Sequence, residues 1–270
     1  MQGLLAQLSC RIGDLDGNTA RSIDAIRSHR DVDIAVFPEL YLSGYTYRHL
    51  DELARPVDSP ELRRIAAAAK EAGTAVVIGF AEKLPDGVGN SVACIDRDGS
   101  LAGVYRKTHL FGGEVEAGFR EGEELLIVEL AGRRVAPLIC FDIEFPEPAR
   151  QVTLAGAEVL VTASANMDPF YLDHAVASIA RAHENRRPHL YANMAGEGDG
   201  LVFVGASRSV APTGETLAEA GRGTEELLVV PVADLDGFDE QSNYPKLVRP
   251  PRPVTCPRRE AAASSPAGTA

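Results

Sequence analysis

The sequence lacks the features that mark several large protein classes. Its 270 residues hold four cysteines, Cys10, Cys94, Cys140 and Cys256, and no two of them form a CxxC pair. That argues against a disulfide-stapled scaffold, a zinc knuckle and a thioredoxin motif, and suits a reducing cytoplasm. No apolar run approaches the ~18 residues of a membrane span. The opening MQGLLAQLSC has no basic stretch before its apolar residues and does not read as a secretory signal. Positive charge is scarce: 27 Lys and Arg stand against 39 Asp and Glu, a formal net charge of −12. Such a surface disfavours nucleic acid and anionic membranes as partners but says little about a small substrate, because pocket charge is local. The six histidines, at 29, 49, 109, 174, 183 and 189, show neither HxH nor HExxH spacing, so no metal is expected. Neither YLSGY (41–45) nor VGASRS (204–209) is a GxSxG elbow. The glycines of 79–91 form no phosphate-binding fingerprint, and no repeat or long linker divides the chain.

What is present is a strand–helix alternation on a chain that is 45% apolar. LLAQLSC opens with a strand, and 16–29 reads as a helix capped by Asp16 or Asn18. DIAVF (33–37) and TAVVIGFAE (74–82) are short, almost wholly apolar runs, as strands buried on both faces require. Between them SPELRRIAAAAKEAG starts as a Ser-Pro-Glu helix and stops on Gly73. A hairpin is expected over 90–105, turning at DRDG, then strands at 124–130 and 133–140. Helix 145–155, strand 158–163, helix 171–187 and strand 189–194 follow. Two strands around PTGE (212–215) are expected within 201–232. Residues 257–270 lack large apolar residues and read as a disordered tail, leaving one α/β domain over 1–256.

Three residues have chemical potential. Cys140 ends the apolar strand VAPLIC just before a helix, where nearby backbone N–H groups can stabilise a thiolate or an oxyanion. Glu39 ends the buried strand IAVFP, and Lys107 lies in YRKTHLF. Taken singly, each is as well explained as a core thiol, a cap or a solvated charge. Their joint pattern is more specific. FPELYLSGY (37–45), YRKTHLF (105–111) and LICFDIEFPEPAR (138–150), with separations of 68 and 33 residues between Glu39, Lys107 and Cys140, together resemble the nitrilase superfamily of carbon–nitrogen hydrolases. RAHENRRPHLYANMAGEG (181–198), FVGASRSVAPTGETLAEAG (203–221) and YPKLVRPP (244–251) extend the resemblance over roughly 3–252.

The resemblance implies a four-layer α-β-β-α sandwich, pairing of two copies through helices into a homodimer or larger homo-oligomer, and no organic cofactor. It implies that Cys140 attacks a carbonyl carbon, that Glu39 moves the protons, and that Lys107 and the backbone N–H of Phe141 hold the oxyanion. A second, supporting glutamate is Glu114 or Glu116. Asp142 orients the nucleophile's turn, and His109 is a hydrogen-bonding residue. Glu144 either lines the mouth, where it repels anionic substrates, or makes an internal ion pair. Asn166 and Asp168 in SANMDPFY (164–171) are candidate substrate contacts, with a plain turn and helix cap as the other reading of Asp168. The expected activity is release of ammonia from a small neutral or amine-bearing carboxamide. An N-carbamoyl amine hydrolase, an omega-amidase, a nitrilase and a catalytically silent binding member remain alternatives.

Overall fold

A computed structural model describes residues 1–235 and 242–249; the expected tail and Cys256 lie outside them. In chain order the first half holds β1 (Gln2–Gln7), α1 (Leu15–Ser28), β2 (Ile34–Val36), α2 (Leu50–Leu53), α3 (Pro60–Ala72), β3 (Ala75–Leu84), β4 (Gly87–Ile95), β5 (Leu101–Arg106), α4 (Glu114–Ala117) and β6 (Phe119–Arg120). The second half holds β7 (Val128–Leu130), β8 (Arg133–Ile139), a 3₁₀ turn (Cys140–Glu144), α5 (Pro146–Leu154), β9 (Val159–Ser164), α6 (Tyr171–Asn185), β10 (His189–Asn193), β11 (Ala195–Gly198), β12 (Leu201–Val204), β13 (Arg208–Val210), β14 (Thr216–Glu219), β15 (Glu226–Pro231) and α7 (Tyr244–Leu247).

Among the described residues two mixed sheets form, with a separate two-stranded β11-β12 ribbon. One runs β15-β1-β2-β3-β4-β5, with β6 on β4; the other runs β14-β13-β10-β9-β8-β7. The side-chain alternation of the strands decides the layers. Leu4 and Ala6 point outward to Ile23 and Ile26 of α1 and to Leu62 and Ile65 of α3. Leu5, between them, points inward with Val36, Val77 and Val92 against Val135, Ile139, Val161 and Leu190 of the other sheet. Ala136, Leu138 and Leu160 face outward again, onto Ala149, Val152 and Ala177 of α5 and α6. The result is the α-β-β-α sandwich, and it explains why the strand runs are apolar on both faces.

Several local expectations are corrected. The cap of α1 is Asp14, whose side chain accepts from the Gly17 N–H. Asn18 is instead buried and donates to the Arg11 and Leu42 carbonyls, while Asp16 pairs with Arg64 across the surface. Only 128–130 of the run 124–130 becomes strand, because only there does it pair with β8. The region 201–232 holds four strands in place of two, and they join three sheets. Short strands separated by glycine and serine gain their pairing from distant partners, which local pattern does not report.

The parallel strands β2, β8 and β9 all end at the same edge of the sandwich, where ligand sites of α/β folds form. The turn after β2 also leans on β3. A Cβ added at Gly79 would lie 2.3 Å from the Pro38 oxygen and 2.4 Å from the Leu40 nitrogen. Only glycine lets residues 38–40 approach this closely. Gly79→Ala is therefore expected to cost at least ~2 kcal/mol of stability and to displace Glu39. Denaturant unfolding alongside an activity assay checks this; wild-type values in both would show that the turn has room to move.

Candidate active site

Cys140 sits where β8 ends and the 3₁₀ turn begins, with a left-handed φ of +44°. A non-glycine residue in that region holds its side chain away from the regular strand direction and costs roughly 1–2 kcal/mol. Asp142 holds the turn in place. Its Oδ2 accepts from the Ile139 N–H at 2.9 Å and the Tyr105 hydroxyl at 2.8 Å. Its Oδ1 accepts from the backbone N–H groups of Thr108 at 3.2 Å and His109 at 3.0 Å. One carboxylate thus ties the cysteine's turn, in one sheet, to the segment after Lys107, in the other. His109 contacts the same Oδ1 at 3.1 Å and stacks on Phe145 at 4.3 Å, a structural partner as expected. Arg181 of α6 closes the far side, donating to the Ile143 and Glu144 carbonyls.

Glu39, Lys107 and Glu114 meet with no solvent exposure. Lys107 Nζ lies 2.7 Å from Glu39 Oε1, 3.1 Å from Glu114 Oε1 and 3.0 Å from Glu114 Oε2. Glu39 Oε2 accepts from the Ala165 N–H at 3.0 Å, and Glu114 Oε2 from the Phe111 N–H at 2.6 Å. Between Glu114 and Glu116, the fold turns Glu114 inward and leaves Glu116 exposed. Asn90 of β4, missed in the sequence, donates to Glu39 Oε1 at 2.7 Å and to Glu114 Oε1 at 2.8 Å. The signal that would have found it is an asparagine inside the apolar run GVGNSVACI. Tyr45 adds a longer contact to Glu114 Oε1 at 3.5 Å.

The electrostatics follow from this burial. Desolvation pulls the Lys107 pKa down, but Glu39 and Glu114 raise it by more, so the ammonium stays charged. Burial raises the Glu114 pKa, Lys107 lowers it, and Glu39 raises it again. Burial, then the Glu39 charge, raises the Cys140 thiol well above its ordinary range; Lys107, the Ser164 hydroxyl and the Ala165 backbone pull the other way. Cys140 is therefore a protonated thiol at rest. Cys94, whose pKa burial alone raises to about 12, has no such neighbours.

Beside Cys140 opens a narrow cleft, lined by Phe111, Phe141, Glu144, Asn166, Met167, Phe170 and His174. Phe111 meets Phe141 and Phe170 edge-on, giving one aromatic wall. Glu144 lines the cleft, and its Oε1 lies 3.3 Å from His174 Nε2. Asn166 is buried, donates to the Phe170 carbonyl and leaves its Oδ1 without a hydrogen-bond partner among the described residues. Asp168 lies in a turn, as its second reading expects, but is not among the residues lining the cleft and does not cap α6. Its backbone N–H pairs with the Val202 carbonyl, which turns its side chain outward, half exposed, to Arg222 at 3.7 Å. The residue before α6 is Phe170, without a side-chain cap. No group of three or more metal-ligating side chains occurs among the described residues, and no helix there is long and apolar enough to cross a membrane.

Fold and relatives together define a hydrolase of carbon–nitrogen bonds other than peptide bonds. The chain belongs to the carbon-nitrogen hydrolase family, whose profile matches residues 5–236. An (R)-stereoselective amidase from Pseudomonas sp. is 41% identical over 235 residues, spanning 86% of this chain and 84% of that protein. The crystal structure of an amidase from Nesterenkonia sp. superposes with a TM-score of 0.81 at 30% identity, covering 92% of this chain and 93% of the other. A variant of that amidase carries the acetamide moiety of fluoroacetamide covalently on its active-site cysteine; its TM-score is 0.81 at 29% identity, covering 92% and 94%.

Proposed function

We propose that this protein is a cysteine-dependent amidase that converts a small neutral or amine-bearing carboxamide to the acid and ammonia through a thioester on Cys140. The observation that carries this reading is the placement of the Cys140 turn at the cleft, beside the closed Glu39–Lys107–Glu114 cluster. A thiol held protonated needs a base at the moment of attack. Glu39 serves: its Oε2 is held by the Ala165 N–H, and its charge acts on the Cys140 thiol.

Cys140 Sγ attacks the carbonyl carbon while its proton passes to Glu39. The oxyanion is held by Lys107 Nζ and the Phe141 N–H. Glu39 then protonates the leaving nitrogen, the carbon–nitrogen bond breaks, and ammonia departs from the thioester. Water attacks next, with Glu39 taking its proton; the carbon–sulfur bond breaks, and the proton returns to the sulfur. Glu114 and Asn90 hold Lys107 and Glu39 in register. The unpartnered Asn166 Oδ1 accepts from the substrate's amide N–H. The aromatic wall selects a short apolar substituent, and Glu144 at the cleft disfavours a second carboxylate.

Exposed Leu154 on α5 and Leu172 and Val176 on α6 offer the face through which two copies pair. Cys10, Cys94 and Cys140 are free thiols, as a cytoplasmic setting requires.

Ammonia release from five compounds tests the reading: a neutral aliphatic amide, an amino-acid amide, an omega-amide of a dicarboxylic acid, an N-carbamoyl amine and a nitrile. Turnover is expected to be greatest on the first two. A preference for any of the other three would overturn the role given to Glu144, and silence on all five would overturn the amidase reading.

A further inference from the structure

We propose that the Phe170 side chain sets the length of the acyl group this protein accepts, by standing across the mouth of the Cys140 cleft. The proposal rests on the amidase reading for Cys140 and narrows its substrate class to amides whose acyl chain ends beneath that ring.

Burial separates the inner part of the cleft from its mouth. Cys140, Asn166, Met167 and His174 line it and are all buried. Phe111, Phe141 and Phe170 line it too but reach solvent, Phe170 furthest at 39% exposed. An acyl chain bonded to the Cys140 sulfur starts in the buried part, so each added methylene carries it toward the three rings. The Phe111 and Phe170 rings meet edge-on there, with centroids 5.6 Å apart. Rings at that separation are in contact and leave no passage between them for a methylene chain.

Two of the three rings belong to segments that carry the catalytic groups. Phe141 follows the nucleophile and packs on Phe111 and on Phe145, which stacks on His109. The Phe111 N–H is bound by Glu114 Oε2 at 2.6 Å. Phe170 comes from a different segment, the connection between β9 and α6, and meets Phe111 alone among the described aromatic rings. Hydrogen bonds fix that connection. Asn166 Nδ2 donates to the Phe170 carbonyl at 3.1 Å, and the Phe170 N–H to the Met167 carbonyl at 2.8 Å. The Asp168 N–H donates to the Val202 carbonyl at 2.9 Å, and the Val204 N–H to the Asn166 carbonyl at 3.1 Å. Arg222 adds an ion pair to Asp168 at 3.7 Å and lies over the Tyr171 ring at 4.1 Å. Both members of that pair are more than half exposed, and such pairs contribute little. The bonds to the backbone therefore hold Phe170 in place, and the size of its ring, not the freedom of the segment, decides how long an acyl chain fits.

The test is kcat/KM for ammonia release along straight-chain amides from acetamide to hexanamide, with a thermal melt of each variant. In the wild type kcat/KM is expected to fall roughly ten-fold per added methylene once the chain reaches the ring, the scale that one methylene carries in a closed apolar pocket. Phe170→Ala is expected to lower kcat/KM on acetamide by roughly two- to five-fold, through KM, and to raise it on hexanamide by about ten-fold or more. Phe170→Leu should fall between the two. Arg222→Gln releases the segment from outside and should leave the hexanamide-to-acetamide ratio within about two-fold of wild type. A merely structural role for Phe170 would lower the melting temperature and depress all the amides together, leaving the ratio where it was. That outcome, or a shift in Arg222→Gln as large as in Phe170→Ala, overturns the proposal while leaving the amidase reading intact. Absence of ammonia from every amide in wild type and variants alike overturns the amidase reading itself.

Discussion

Cys140→Ala is expected to keep the fold and to lose turnover by about 10⁵-fold or more, the scale at which a hydrolase loses its nucleophile. The fold should survive because the sulfur is one small buried group and because the +44° backbone is held by Asp142 and Arg181, both of which remain. Stability should change by no more than about 1 kcal/mol, since the truncation removes a single buried sulfur. Cys140→Ser should be nearly as inactive. Its hydroxyl is harder to ionise than the thiol, and the surrounding burial that raises the thiol acts on it too. The experiment is ammonia release on the preferred amide together with a thermal melt. A folded, active Cys140→Ala variant would end the thioester mechanism.

The second large effect is expected at Lys107. Lys107→Met removes the cation from between two carboxylates that have no solvent exposure. Breaking a buried ion cluster from one side costs roughly 3–5 kcal/mol, because the charges left behind are unpaired. Turnover should fall by a further 10²- to 10³-fold per folded molecule, roughly what one oxyanion donor supplies. A second substitution separates the two losses. Lys107→Met with Glu114→Gln leaves one charge where there were two, so the double variant should recover much of the stability and none of the activity. Urea unfolding and single-turnover ammonia release measure each separately. A Lys107→Met variant as stable as wild type would show that the cluster does not hold two carboxylates charged, and an active double variant would remove Lys107 from the chemistry.

The same cluster shows how far the sequence could be read. Glu39, Lys107 and Cys140 were legible because each lies in a block whose neighbours fix its context: an apolar strand ending on a carboxylate, a basic turn, and a cysteine before a helix start. Asn90 was not legible, because its role depends on the distance between two carboxylates 75 residues apart. Asp168 was misplaced because pairing with β12, which no local pattern reveals, turns it away from the cleft.

By itself the sequence determined the strand and helix periods, the two-sided burial of the central strands and the blocks that carry the family resemblance. These are local properties, set by the side-chain period and by backbone sterics within a few residues. Tertiary structure alone decided which of Glu114 and Glu116 turns inward, which asparagine bridges the carboxylates, that Glu144 meets His174, and that Asp168 faces solvent. Each of those depends on distances between residues far apart in the chain, and such distances exist only once the two sheets have packed face to face.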